Sequence, residues 1–179
     1  MAAKSEERGV NRIFAVLLFL TFAAAGVRAD LLLESVSWQR GRLEAARVVW
    51  EDSDKLVDGP PKLDTRMRAR LTLKNRGPIA AEGILLRYSM TGRAAPVAEA
   101  KAEGTWGIPF MVDEKRVPKI GPNKTVDIFL AISPALDLYI RRISRVGWWP
   151  DRVKLQVMIE PHAGAVALQS LESVIEVGK

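Results

Sequence analysis

The feature that most constrains the fold is a segment, Thr65–Lys74, in which apolar and basic side chains alternate. Its apolar positions are Met67, Ala69, Leu71 and Leu73, and its basic positions are Arg66, Arg68, Arg70 and Lys74. Because successive side chains of a β-strand point to opposite faces, this alternation predicts a strand with one buried and one exposed face. Asn75-Arg76-Gly77-Pro78 follows with residues that favour turns.

Similar short segments recur along the chain and are separated by Gly, Pro and Asn. About seven strands are predicted, at Leu31–Trp38, Arg47–Trp50, Thr65–Lys74, Gly83–Met90, Val126–Ile132, Val153–Ile159 and Val166–Val177. Many short strands with regular turn signals are typical of an antiparallel β-sandwich. We therefore predict an all-β fold.

One segment has helical spacing instead. Ser133 and Pro134 provide a capping residue and a first-turn proline, and Gly147 provides a residue that can end a helix. These signals predict one short inserted helix at about 134–146.

The amino-terminal segment has the pattern of an export signal. Arg8 and Arg12 precede the uncharged run Ile13–Val27, and the small residues of Val27-Arg28-Ala29 offer a cleavage site. The apolar run is shorter than the roughly 20 residues that a membrane-spanning helix needs, which favours a cleaved signal over residues 1–29; an uncleaved anchor is the alternative. A single mature domain, 30–179, is then expected in the periplasm or outside the cell.

The chemistry-bearing residues are few. The chain contains no cysteine and a single histidine, His162, so it has no thiolate metal site and no Cys–His pair. No glycine-rich phosphate loop or serine elbow occurs in the sequence. We predict a protein that is not an enzyme and uses no metal or cofactor.

The run Ala69–Gly77 resembles the signature strand of bacterial immunoglobulin-like modules, in which an alternating strand ends in Asn-x-Gly. Ile120–Val126 is similar to a second landmark of these modules, a Gly/Pro turn that leads into a strand. The modules include the CARDB (cell-adhesion-related) and fibronectin type III-like groups of exported proteins. The resemblance implies an immunoglobulin-like sandwich that serves as a binding or spacer module. The predicted helix departs from the usual family pattern.

The basic positions Arg66, Arg68 and Arg70 form one candidate binding surface. Because like charges along one strand face repel, either neighbouring strands supply carboxylates or the face meets an anionic partner. Glu82, Asp127 and Glu160 are the candidate acids. Aromatic residues do not interleave with these cations and export separates the chain from nucleic acid, so we expect no nucleic-acid partner.

A second candidate surface combines cations with large aromatic side chains. It consists of Arg141, Arg142, Arg145, Trp148 and Trp149. Trp and Arg are enriched at binding hot spots, and basic helices with aromatic residues can lie on a membrane surface. The alternative is that a Trp fills the end of the sandwich while the arginines are solvated.

Taken together, these features predict an exported, non-catalytic module that docks onto a protein partner in a larger envelope or surface assembly. Membrane contact is expected only through the signal segment or peripherally. The alternative is a periplasmic protein that binds a small molecule or glycan with the region of Trp148 and Trp149, because paired indoles can stack on such ligands.

Overall fold

The computed structural model describes residues 29–55, 66–99, 103–109, 111–160 and 168–177. Residues 1–28 of the predicted signal segment and the turn containing His162 lie outside the described residues. Among the residues described, no helix is both long and apolar enough to cross a membrane.

The described residues form two antiparallel sheets and one helix. The elements are β1 (Leu31–Glu44), β2 (Arg47–Asp52), β3 (Met67–Asn75), β4 (Leu85–Pro96), β5 (Thr105–Trp106), β6 (Asp113–Arg116), β7 (Thr125–Ala131), α1 (Pro134–Ser144), β8 (Trp148–Ile159) and β9 (Gln169–Glu176). One sheet has the order β2-β1-β3-β7, and the other has the order β5-β4-β8-β9 with β6 also paired to β4.

This topology confirms the predicted all-β fold of two packed antiparallel sheets with one short helix. The chain crosses from one sheet to the other after β3, after β6 and after β7, and this places β1, β3 and β7 opposite β4, β8 and β9. Each of the seven predicted segments contains a strand, while Thr65 and residues 166–167 of these segments lie outside the described residues. Two further short strands, β5 and β6, lie in a part of the sequence that lacks apolar alternation.

The alternation in β3 explains why one face of this strand lies in the core. Its residues alternate between buried and half-buried along the whole strand, as the sequence predicts. The apolar set Met67, Ala69, Leu71 and Leu73 is almost completely buried. Facing it from the other sheet is the apolar set Leu86, Val153, Leu155 and Val157, which is equally buried. These two inner faces form the core.

Asn75 ties together the end of the sandwich where β3 stops. Its side-chain nitrogen donates to the carbonyl oxygens of Ile79, Ile120 and Gly121 at 2.7, 3.2 and 3.1 Å. Its side-chain oxygen accepts from the backbone N–H of Gly77 at 3.0 Å. Asn75 is fully buried, so these bonds explain why an Asn-x-Gly sequence ends the strand.

Helix α1 begins and ends close to the predicted positions. The Ser133 hydroxyl accepts from the backbone N–H of Leu136 at 3.2 Å, Pro134 occupies the first turn, and Arg145 caps the end. Leu136 and Ile140 anchor the helix in the core. The helix connects β7 to β8 and thereby fixes where Trp148 and Trp149 enter the second sheet.

The β1–β2 hairpin was only partly predicted. β1 continues six residues beyond the predicted end at Trp38, and the two strands pair up to Glu44–Arg47. The connecting residues Ala45 and Ala46 have φ values of 43° and 67°. Asn-Gly is the usual sequence for such a turn, so two alanines gave no turn signal.

Candidate binding surface

Arg68 lies between two aromatic rings on the outer face of the four-stranded sheet. Its guanidinium carbon is 3.9 Å from the centre of the Trp50 ring and 3.8 Å from the centre of the Phe129 ring. Trp50 comes from β2 and Phe129 from β7, so the stack spans the sheet from one edge strand to the other. A cation over an aromatic face is stabilised by about 0.5–1 kcal/mol at exposed sites.

A hydrogen-bond network fixes the direction of the Arg68 side chain. Its Nε donates to Oε1 of Gln39 at 2.8 Å, and the Gln39 amide donates to Oδ1 of Asp52 at 2.8 Å. Arg70 donates from Nη2 to Oδ2 of the same carboxylate at 2.9 Å and from Nε to the Ser37 hydroxyl at 3.1 Å. Rotation of the Arg68 side chain would therefore break both the stack and the network.

Three other cations on or just after β3 meet carboxylates. Arg70 pairs with Asp52 at 2.9 Å, Lys74 approaches Glu34 to 3.9 Å, and Arg76 pairs with Asp30 at 3.2 Å. The acids that the sequence suggested lie elsewhere or bond differently. Glu82 pairs with Lys119, Glu160 pairs with Arg87, and Asp127 accepts from the Thr72 hydroxyl.

Arg68 differs from these neighbours because no described carboxylate lies within ion-pair distance of it. Burial lowers the pKa of the Arg68 guanidinium from its ordinary value, and the positive charge of Arg70 lowers it further. The guanidinium is thus held in place and partly desolvated, and no carboxylate of the described residues compensates its charge. A carboxylate from outside would complete its interactions.

Apolar side chains extend the stack toward the β1–β2 hairpin. Gly41 lies beneath them: a Cβ at this position would be 2.7 Å from Val48 and 3.2 Å from the Trp50 ring. The absence of a side chain at Gly41 therefore allows Trp50 to lie flat on the strand. Leu43 pairs directly with Val48 and is 53% exposed.

We name the continuous surface formed by Leu43, Val48, Trp50, Arg68 and Phe129 the Arg68 strip. Val48 and Phe129 are each 41% exposed. Polar pairs such as Arg70–Asp52 and Thr72–Asp127 border the strip. An apolar and aromatic centre with arginine and a polar rim is the composition of protein–protein interfaces.

Arg66 precedes β3 and is exposed at the border of this strip. Its Cβ lies beside Gly41, 3.2 Å from where a Cβ of that residue would be. The structure thus brings together Arg66, Arg68 and Arg70, as the strand pattern predicts. It places them on a different sheet from Trp148 and Trp149.

The second predicted group does not form one surface. Arg141 is paired with Asp137 at 2.8 Å on the helix, whereas Arg142 and Arg145 are exposed and make no ion pair with any described residue. Trp148 is 39% exposed, and Val146, two residues before it, is 71% exposed. These side chains form a smaller basic and apolar patch at the end of α1.

Trp149 is a core residue, and its assignment to a binding surface is wrong. It is only 1% exposed, and its indole belongs to the apolar core instead of facing solvent beside Trp148. The two indoles leave the strand in opposite directions, so they cannot form the paired platform that a stacked glycan would need. The alternative expectation that one Trp fills the sandwich agrees with the structure.

Two other features lie on the outer face of the five-stranded sheet. Arg93 and Asp151 form a bidentate pair whose side chains are each 16% exposed, and the Asp151 hydrogen bond raises the pKa of Arg93. A shallow groove of about 330 Å³ lies between Ser89, Met158 and Glu172. Neither feature contains a residue of the two predicted binding surfaces. The described residues contain no cluster of His, Asp or Glu that could hold a metal ion.

Sequence reasoning missed Trp50, Phe129 and Gln39 as members of the site. Trp50 and Phe129 both lie on predicted strands, but the pairing order of four strands decides that both reach Arg68. The one available signal was the large aromatic residue at an outward position of β7, since such positions are usually polar.

Comparison with known proteins gives little beyond this geometry. No family model matches the chain, and no curated protein matches it in sequence. A β-D-glucoside glucohydrolase from Trichoderma reesei is similar in structure with a TM-score of 0.36 and 11% identity, over 84% of this chain and 19% of that chain. A β-glucosidase from Listeria innocua gives a TM-score of 0.30 and 12% identity, over 84% and 16%. The chain spans less than a fifth of either enzyme, and likenesses this low carry no argument about its activity.

Proposed function

We propose that this protein is an exported, non-catalytic binding module that docks onto a protein partner in a larger envelope or surface assembly through the Arg68 strip. The export signal, the bacterial immunoglobulin-like family and the absence of catalysis are parts of the same proposal. The observation that carries it is the guanidinium of Arg68, which is held between Trp50 and Phe129 and has no carboxylate partner among the described residues.

The energetics favour this surface over the end of α1. The strip is already ordered by ring stacking and by the Gln39–Asp52 network, so little side-chain entropy is lost when a partner binds. Arg142 and Arg145 have no such support, and each would lose rotamer freedom on binding. The patch around Trp148 is therefore a secondary contact in this proposal.

The test compares Trp50→Ala with Met158→Ala as a matched control. Met158 is 39% exposed and lies on the opposite sheet. Each tagged protein is recovered from its native envelope, and the co-eluting proteins are identified. The protein whose recovery depends on Trp50 is then purified and titrated with the unmodified chain and with each variant. Hot-spot truncations cost 2 kcal/mol or more, so we expect binding about 30-fold weaker for Trp50→Ala and unchanged for Met158→Ala. Equal recovery by both variants would contradict the proposal.

A further inference from the structure

The free edge of β7 differs from the edges that β5, β6 and β9 form in the other sheet. β7 is the last strand of its sheet and pairs with β3 along residues 125–131. In the described part of the chain, no backbone or side-chain group hydrogen-bonds to its second edge. Unpaired strand edges attract other strands, and monomeric proteins protect them with charges, prolines, bulges or short length.

β7 has no proline, bulge or short length to protect it, and it has a single charged residue. Its sequence TVDIFLA contains no Pro or Gly, its register with β3 has no shift, and its inward side chains are apolar. Its one charged residue, Asp127, is turned toward β3 by the hydrogen bond from Thr72 at 2.9 Å. By contrast, all residues of β6 (Asp113–Arg116) are charged, β5 has two residues, and Lys55 bridges to Glu176 at the edge of β9.

The pairing with β3 determines which groups of β7 face outward. The backbone N–H of Asn75 donates to the carbonyl oxygen of Lys124 at 2.9 Å, which makes Lys74 and Thr125 a non-hydrogen-bonded pair. Because the pattern alternates, even-numbered residues of β7 bond to β3. The N–H and C=O groups of Thr125, Asp127, Phe129 and Ala131 therefore point to the free edge.

We propose that two copies of this chain associate by antiparallel pairing of their β7 strands, with the two-fold axis at Ile128. In this register Thr125 faces the partner's Ala131 and Asp127 faces the partner's Phe129. These are hydrogen-bonded pairs, so every outward N–H and C=O group of the four odd-numbered residues in both copies finds a partner. The register uses the full length of the strand without a mismatch.

The side chains are compatible with the same register. On the inner face, Val126 lies opposite the partner's Leu130, and Ile128 lies beside the partner's Ile128, which extends the apolar layer across the axis. On the outer face, no two like charges are directly opposed. The two four-stranded sheets become one continuous sheet, and the two Arg68 strips meet through Phe129. This inference does not depend on the strip's own partner.

The experiment uses a pair of variants that differ only in charge sign at one position. Thr125→Lys/Ala131→Lys places a lysine opposite a lysine at both ends of the proposed interface, whereas Thr125→Lys/Ala131→Glu places a lysine opposite a glutamate. All four changes fall at exposed positions. The protein expressed from the full-length sequence and both variants are compared by sedimentation equilibrium, with thermal unfolding as the check on folding.

We expect the unmodified protein and the Lys/Glu variant to sediment with the mass of two chains and the Lys/Lys variant with the mass of one. If the unmodified protein sediments with the mass of one chain at every concentration, the proposal is wrong. The free edge of β7 would then be a site for a strand of a different protein. Equal association of two folded variants also overturns it, because only the antiparallel register at Ile128 opposes residues 125 and 131.

Discussion

Asn75 illustrates how one side chain can hold two distant turns of a sandwich together. Its amide satisfies three carbonyl oxygens, and its side-chain oxygen accepts from Gly77 and, at 3.3 Å, from Asp30. No other residue type of this size offers two donors and an acceptor. The bonds link the start of β1, the end of β3 and the turn before β7.

Asn75→Ala should therefore lower the free energy of unfolding by about 3 kcal/mol, because several buried carbonyl and N–H groups lose their partners together. For a chain of this size the midpoint of thermal unfolding should fall by roughly 6–12 °C. Urea and thermal denaturation measure the change.

The neighbouring Arg76→Ala is the matched control for Asn75→Ala. Arg76 pairs with Asp30, but both side chains are more than half exposed, so the loss should stay within about 1 kcal/mol. Equal losses for the two variants would contradict the role given to Asn75.

The orientation of adjacent residues marks the limit of what the sequence could predict at this scale. The alternation in β3 correctly assigned the faces of Arg68 and Leu71. It could not assign Trp148 and Trp149, since the register between β4 and β8 shifts between Arg93 and Ala94 just beside them. A local irregularity of this kind depends on which strands are neighbours in the sheet, and the sequence alone does not reveal that order.

At the scale of elements, the β1–β2 hairpin stores a local strain that can be tested. Ala45 and Ala46 both adopt positive φ, a region in which an L-residue other than Gly or Asn is disfavoured by about 1 kcal/mol or more. The double substitution Ala45→Asn/Ala46→Gly should raise the free energy of unfolding by about 1 kcal/mol. Urea denaturation should show a higher midpoint with an unchanged slope.

Ala135→Gly is the control for the hairpin substitution. Ala135 lies in the first turn of α1 with ordinary helical φ, so glycine there should cost about 1 kcal/mol. A loss of stability in both variants would mean that the turn is not strained in solution.

The pairing of β4 with β6 should lower the free energy of unfolding at alkaline pH. Burial raises the pKa of the Tyr88 hydroxyl above its ordinary value of 10.0, and the charge of Asp113 opposite it adds to the rise. The unfolded chain therefore loses this proton at a lower pH than the folded chain. The stabilising contribution is complete below the unfolded pKa and is lost as the pH rises through the folded value.

Tyr88→Phe should remove this part of the pH dependence. Between about pH 9 and about pH 11, the free energy of unfolding from urea denaturation should fall more steeply for the unmodified protein than for the variant. All other residues are the same in the two proteins, so their contributions cancel in the comparison. Parallel slopes would show that Tyr88 titrates alike in the two states.

At the scale of the whole molecule, the sequence predicted the fold better than the site. Strand alternation and turn residues are local, so the seven main strands, the helix and the two-layer architecture could be predicted from them. The Arg68 strip depends on the order β2-β1-β3-β7, which brings Trp50 and Phe129 to the same guanidinium. Without that order, only the arginines of the site were accessible to sequence reasoning.

We propose above that this protein meets its partner on the outer face of the four-stranded sheet. A photoreactive residue placed at Val48 or at Met158 distinguishes the two faces, because the two positions are almost equally exposed and lie on opposite sheets. After irradiation of intact cells, we expect a defined protein adduct from position 48 and none from position 158. Adducts from position 158 alone, or none from position 48, would contradict the proposal.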